Sequence, residues 1–256
     1  MHSGDAGGVV PSSFRIARAI LDRIDDASTG VVKPAAFRCD IPADRLEQAR
    51  QVAAILGDDL WKRFPWAACC DDKGANGSFA QPVTKDPVEL VLNRTWRAAL
   101  AVTGADGLPP AGSAGNTQRP YTTLKLSLRL PPTVDGPKAG EIFRQALEAD
   151  PPANARVKFK CDSAASGWNA PTFPPWLLAA LDSASRASFG KPAAFMGEGG
   201  TIPFMGMLGA KFPAAQMLVT GVLGPKSNAH GPNEFLHVPY AKKVTVATAL
   251  VIAAVR

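Results

Sequence analysis

The chain has 256 residues, enough for one large domain or two small ones with a sizeable core. Its 46% apolar and 20% charged residues are those of a globular soluble protein, and its net charge of +6 is scattered rather than gathered into a basic run with aromatics, which argues against nucleic-acid binding. Cys69–Cys70 as a vicinal pair, with Cys39 and Cys161 apart, fits neither a zinc spacing nor a disulfide framework, and the longest apolar run, Val244–Val255, is too short to cross a bilayer. A polar opening without a secretory leader completes the expectation of a cytoplasmic protein that does not enter a membrane.

In chain order, His2-Ser-Gly-Asp-Ala-Gly-Gly8 reads as a glycine-rich turn. A helix follows, with Ser12 or Ser13 as N-cap and Ile16, Ile20, Leu21 and Ile24 as its apolar stripe, stopped at Thr29-Gly30. Residues 31–85 are less regular and read as an insertion. Within it, Asp44–Leu60 is a predicted helix, Phe64-Pro-Trp66 an aromatic anchor and Asp71–Thr84 a surface loop. Val88–Thr103 has strand character. The cleanest strand is Leu124, Leu126, Leu128 and Leu130 alternating with Lys125, Ser127 and Arg129, closed by Pro131-Pro132. Asp135–Ala149 reads as a helix, and Ala155–Cys161 as another alternating strand. Helix, insertion, strand, strand, helix, strand is a ferredoxin-like α+β layer lacking its first strand.

Beyond a boundary at Gly167–Pro171 the pattern turns to α/β. A helix is predicted from Pro174 to about Phe189, then a short strand at Ala193–Met196, and a Gly-Gly-Thr turn opening a helix with Thr201 as N-cap and Pro203 in its first turn. Such a turn presents backbone N–H groups at the positive end of a helix, where a carboxylate or phosphate can bind, and it is equally an ordinary capped helix. Gln216–Leu223 reads as a buried strand, Pro239–Val255 as a helix, and the loop between them holds His230, one of three histidines. Ala229 and Gly231-Pro232 flank it with small, turn-forming residues. That presentation suits a metal ligand or a general base, and it is also the form of a plain turn.

Four segments carry a resemblance when taken together and in order: His2-Ser-Gly4, Leu126-Ser-Leu-Arg-Leu-Pro131, Glu198-Gly-Gly-Thr-Ile-Pro203 and Asn228-Ala-His-Gly-Pro-Asn-Glu234. They resemble the dinuclear-zinc peptidases of the carnosinase, carboxypeptidase G, aminoacylase and succinyl-diaminopimelate desuccinylase group. The resemblance implies a ferredoxin-like lid, an antiparallel sheet with two helices that mediates dimerisation, at residues 1–168, with the insertion at about 31–85. Residues 169–256 would then be an α/β segment, the C-terminal part of a zinc-peptidase catalytic domain.

By the same resemblance His230 is a zinc ligand, and His2 reaches a partner subunit's active site to support the oxyanion. Arg129 binds the substrate carboxylate, although without the resemblance it reads as the solvated face of a half-buried strand. Asn116 meets the substrate, and the turn Gly199-Gly200-Thr201 holds its terminal carboxylate. Glu234 orders the loop or stands behind the ligand. Thr201 takes the place of the family's usual Ser, and Gly197 that of a common Arg. The complete family enzyme holds two zinc ions, but the His-x-Asp and Glu-Glu motifs that supply the other ligands and the general base do not occur in this sequence. At most one ligand comes from this chain. The expectation is a C-terminal fragment, inactive alone, arising by truncation, a split gene or a mis-called start. It would dimerise through the lid, pair with a separately encoded N-terminal catalytic half, and act on a peptide or acyl-amino-acid amide. The alternative is a non-catalytic dimerisation or interaction protein derived from the lid.

Overall fold

The computed structural model describes residues 1–64, 80–199 and 202–255. The chain divides into two units, one of Met1–Trp168 with Met196–Gly206, the other of Asn169–Phe195 with Met207–Arg256.

The first unit begins with the short helix α1 (Ser3–Ala6) and with α2 (Ser13–Leu21), whose N-cap Ser12 accepts from the Arg15 N–H at 3.2 Å. Ile16 and Ile20 share one face of α2, and with Ile24 beyond it they enter a core of Val32, Phe37, Ala139, Phe143 and Leu147. The chain turns back between Ile24 and Val32 around Asp26. The Asp26 Oδ1 accepts from both the N–H and the hydroxyl of Ser28 and Thr29. Those four donors, the Ser28 hydroxyl first, draw the Asp26 carboxyl from 3.8 down to about 2.

Within the insertion, the single helix expected over 44–60 is two helices, α3 (Ala43–Leu56) and α4 (Asp59–Lys62), separated at Gly57. Strand character at Val88–Thr103 is also corrected, because its first part is helix α5 (Pro87–Thr95). Asp86 caps this helix by accepting from the Val88 and Glu89 N–H groups at 2.8 and 3.3 Å, and Pro87 stands in the first turn. Val88, Val91, Leu92 and Trp96 fall at helical spacing and pack with Ala49, Val52 and Leu60 as a separate apolar cluster. The Asp-Pro start and this spacing decide for the helix. Trp66 and most of the predicted loop at 71–84 lie outside the described residues.

The only sheet among the described residues is an antiparallel pair, β1 (Ala99–Asp106) and β2 (Thr123–Arg129). Leu100 faces Leu128 across the ladder, Val102 faces Leu126, and a bulge lies between Val102 and Gly104. Leu126, Leu128 and Leu130 turn to the core, as their alternation predicts. Helix α6 (Gly136–Glu148), capped by Asp135, lays Ala139, Phe143 and Leu147 on the same core. Residues 155–161 keep the predicted alternation, with Ala155, Val157 and Phe159 half-buried and Arg156, Lys158 and Lys160 exposed, but they make no strand ladder. Alternation encodes which side chains are buried and leaves the backbone partner open. Here the Phe159 N–H donates to Glu148 Oε1 at 2.7 Å instead of to a strand. That bond, with Arg144 as a further partner, holds the Glu148 carboxyl below the usual range.

In the second unit, α7 (Pro175–Phe189) packs on α9 (Val238–Ala253) through Leu177, Ala184 and Val251, with Phe173, Leu181 and Ala247 at the edge. Phe189 meets Tyr240 at 5.7 Å between ring centroids. Helix α8 (Pro203–Lys211), whose residues after Gly206 belong to this unit, precedes the His230 loop. The strands predicted at 193–196 and 216–223 do not form: both stretches are irregular, and 216–223 is mostly exposed rather than buried. A strand needs a neighbour for its N–H and C=O groups, and the described residues offer these segments none. The α/β pattern expected after residue 171 is therefore represented by its helices. No helix among the described residues is long and apolar enough to cross a membrane.

Phe143→Ala removes a ring packed edge-on against Phe37 and Phe159 and should cost about 3–5 kcal/mol in urea unfolding. Because Asp26 titrates lower folded than unfolded, its contribution is complete above about pH 4 and is lost as pH falls toward about 2. Acid unfolding should therefore lose that component in Asp26→Asn, measured by fluorescence at successive pH values.

Candidate functional site

His230 sits on a loop that closes on itself between Leu223 and His237. The His237 N–H donates to the Leu223 carbonyl at 2.8 Å, and the Phe235 N–H to the Ser227 carbonyl at 3.2 Å. Ser227 is the buried centre, 4% exposed, and its hydroxyl points at the Leu223 and Gly224 carbonyls at 2.7 and 2.8 Å. Asn228 Nδ2 donates to the Pro232 carbonyl at 2.7 Å. Lys226, Asn228, His230 and Asn233 all take left-handed backbone angles, His230 with φ 61°. Asn and His are enriched in that region, whereas for Lys it is uncommon and is held by the surrounding bonds. The His230 N–H donates to Glu234 Oε2 at 2.8 Å, so Glu234 fastens the loop by its carboxylate while His230 is exposed.

His237 has a role that the sequence reading missed. It is the N-cap of α9, its Nδ1 accepting from the Tyr240 N–H at 3.1 Å. The Pro239 in the first turn was the available signal, since an N-cap directly precedes such a proline-bearing turn.

His2 and Asn116 come together at the other end of the chain. The Ser3 N–H donates to the Asn116 carbonyl at 2.9 Å, the Gln118 N–H donates to the Met1 carbonyl at 2.8 Å, and His2 bridges Thr117 in antiparallel fashion. The His2 Nδ1 accepts from the Gly4 N–H at 3.1 Å. An acceptor Nδ1 leaves the proton of the neutral ring on Nε2, so His2 presents a donor outward. The 107–122 stretch behind it is held by the Arg119 Nε–H donating to the Gly107 carbonyl at 3.1 Å and by Ser13 meeting Thr122 at 2.9 Å between hydroxyl oxygens.

Arg129 is the last residue of β2, exposed and paired across the ladder with Ala99. Gly199 is seated on α5. A Cβ there would lie 2.5 Å from the Arg94 carbonyl oxygen, so only glycine permits the approach. Beside it Arg94 Nη2 meets Glu198 Oε1 at 2.5 Å, an ion pair across 104 positions of sequence that no local pattern could announce. Gly200 and Thr201 lie outside the described residues. Helix α8 starts at Pro203, which makes Ile202 the residue preceding it.

A zinc centre needs about four donors on one point. Among the described residues no three His, Cys, Asp or Glu side chains gather in that way. His230 is a single imidazole, and Glu234 directs an oxygen to the loop's own backbone. The described residues do not fit a complete zinc site.

No protein-family model matches the chain. Cysteinylglycine-S-conjugate dipeptidase of Corynebacterium striatum is 24% identical over 255 residues, covering 97% of this chain and 50% of the relative. Among solved structures, the dipeptidase Dug1p of Saccharomyces cerevisiae aligns with a TM-score of 0.69 at 17% identity over 99% of this chain and 51% of its own. Human carnosine dipeptidase 1 gives 0.66 at 16%, over 99% and 51%. The M20 family metallo-carboxypeptidase Sso-CP2 of Sulfolobus solfataricus gives 0.70 at 17%, over 99% and 55%. The chain thus resembles, in sequence and in fold, the metallopeptidase group to which its motifs point, and it spans about half the length of the relatives it matches.

Ser227→Ala removes the hydroxyl that closes the His230 loop. At about 1 kcal/mol for such a bond, amide exchange over residues 224–236 should quicken about fivefold, with exchange in α6 unchanged.

Proposed function

We propose that this chain is the lid and the C-terminal part of the catalytic domain of a metal-dependent hydrolase that cleaves dipeptide-like or N-acyl amino acid amide bonds. The observation that carries this reading is the ordered set His2, Asn116, Arg129, Gly199-Gly200-Thr201 and His230, on a chain matching a dipeptidase over 97% of its length. Residues 1–168, with the insertion at about 31–85, would be the ferredoxin-like lid through which the protein dimerises, and 169–256 the catalytic part.

In this reading His230 supplies one zinc donor, and the remaining donors and the general base come from polypeptide outside this chain. His2 supports the oxyanion in the partner subunit. Its outward Nε2–H is a suitable donor, since charge developing on a carbonyl oxygen is stabilised by groups already oriented toward it. Arg129 and the turn at 199–201 bind the substrate's carboxylate, for which a guanidinium and backbone N–H groups are fitting partners. Asn116 adds a contact beside His2, and Glu234 keeps His230 in place. A second reading is a non-catalytic dimerisation or interaction protein derived from the lid.

The two readings part in one assay. The purified chain with added Zn²⁺ should hydrolyse no dipeptide. Co-produced with a polypeptide carrying the His-x-Asp and Glu-Glu motifs, encoded next to it, the chain should give zinc-dependent hydrolysis that His230→Ala abolishes. Hydrolysis that persists without His230 would remove its assigned role, and no hydrolysis in any combination would leave the non-catalytic reading.

A further inference from the structure

The run Gln216-Met-Leu-Val-Thr-Gly-Val-Leu223 is almost continuously apolar. Such a run suits a strand covered on both faces and paired on both edges, as in a parallel sheet under helices. Here it is paired with no strand among the described residues, and Leu218, Val219 and Val222 are 38%, 56% and 48% exposed. The final helix tells the same story. α9 buries Val244 and Val251, yet Val246, Leu250 and Ile252 on its other sides are exposed. Apart from Lys242, Lys243 and its threonines, α9 is apolar on more than one side, and such a helix suits cover on more than one side. A strand sequence without a sheet and a helix without its second cover thus occur in the same unit. Meanwhile the relatives that the chain matches are about twice its aligned length.

We infer that residues 216–223 and the outer apolar face of α9 form a docking surface for the half of a dipeptidase chain that this polypeptide does not span, with 216–223 entering that half's sheet as a strand. The inference rests on the reading above that the chain is one part of such a hydrolase, and it names the surface through which the parts combine. Backbone pairing along the strand supplies affinity, and burial of Leu218, Val219 and Val222 selects the register. An unpaired apolar strand left open also pairs with unwanted copies, so the occupant protects the chain from association with itself.

The test uses the full chain, co-produced with the half of the Corynebacterium striatum dipeptidase that it does not cover. The expected result is an equimolar complex on size exclusion with light scattering, and amide exchange over 216–223 slowed by at least about tenfold relative to the chain alone. Val219→Lys with Val222→Lys, both exposed in the chain alone, should leave its unfolding midpoint unchanged and abolish the complex. The inference is overturned if no complex forms, if the double variant still forms it, or if a second copy of the chain already protects 216–223. Dipeptide hydrolysis is read separately. A complex that forms without hydrolysis counts against the enzymatic reading and leaves the docking surface standing.

Discussion

Phe143 is where the otherwise separate stretches of the first unit meet. Its ring stands edge-on to Phe37, delivered by the turn after α2, and to Phe159, delivered by the extended segment after α6. Around this trio gather the isoleucines of α2 and the leucine face of β2. Two strands alone hold poorly in water, and they persist when one face is covered by helices. Here α2 and α6 provide that cover, and the aromatic trio also anchors 155–161, which has no ladder of its own.

That arrangement bears on the candidate residues. β2 is held on its leucine face, so Arg129 at its end is presented from the supported strand to solvent. His2 depends on a different device, a few backbone bonds to residues 116–118 and a ring nitrogen used as a helix cap. His230 depends on neither. Its loop is closed within itself, by the side chains of Ser227, Asn228 and Glu234 and by backbone bonds, with left-handed residues held by these internal hydrogen bonds. Three histidines thus carry three local constraints, and two of them, His2 and His237, spend Nδ1 on a helix N-terminus.

The second unit shows the opposite balance. Its two long helices bury one face against each other and leave other apolar faces open, beside a run of sequence composed like a covered strand. On the docking reading, sequence and surface disagree there because burial was encoded for the neighbouring half.

Much was legible in order along the chain. Ser12, Asp135 and the prolines at 175 and 239 marked helix starts through backbone chemistry that acts within four residues. The leucine alternation of 124–130 marked β2 and its buried face, and the ordered motifs marked the metallopeptidase group. At 88–96 the strand reading gave way to a helix that Asp86 caps and Pro87 opens. By itself, then, the sequence determined α2, α6, α7 and α9, the facing of β2 and the family likeness, because caps and periodicity are written within a turn or two of chain. Only the tertiary structure decided that 155–161 and 216–223 lack ladders, that Glu198 pairs with Arg94, and that the His230 loop is closed by a buried serine. Those facts depend on which distant groups arrive at hydrogen-bonding distance, and separation in sequence carries no record of that.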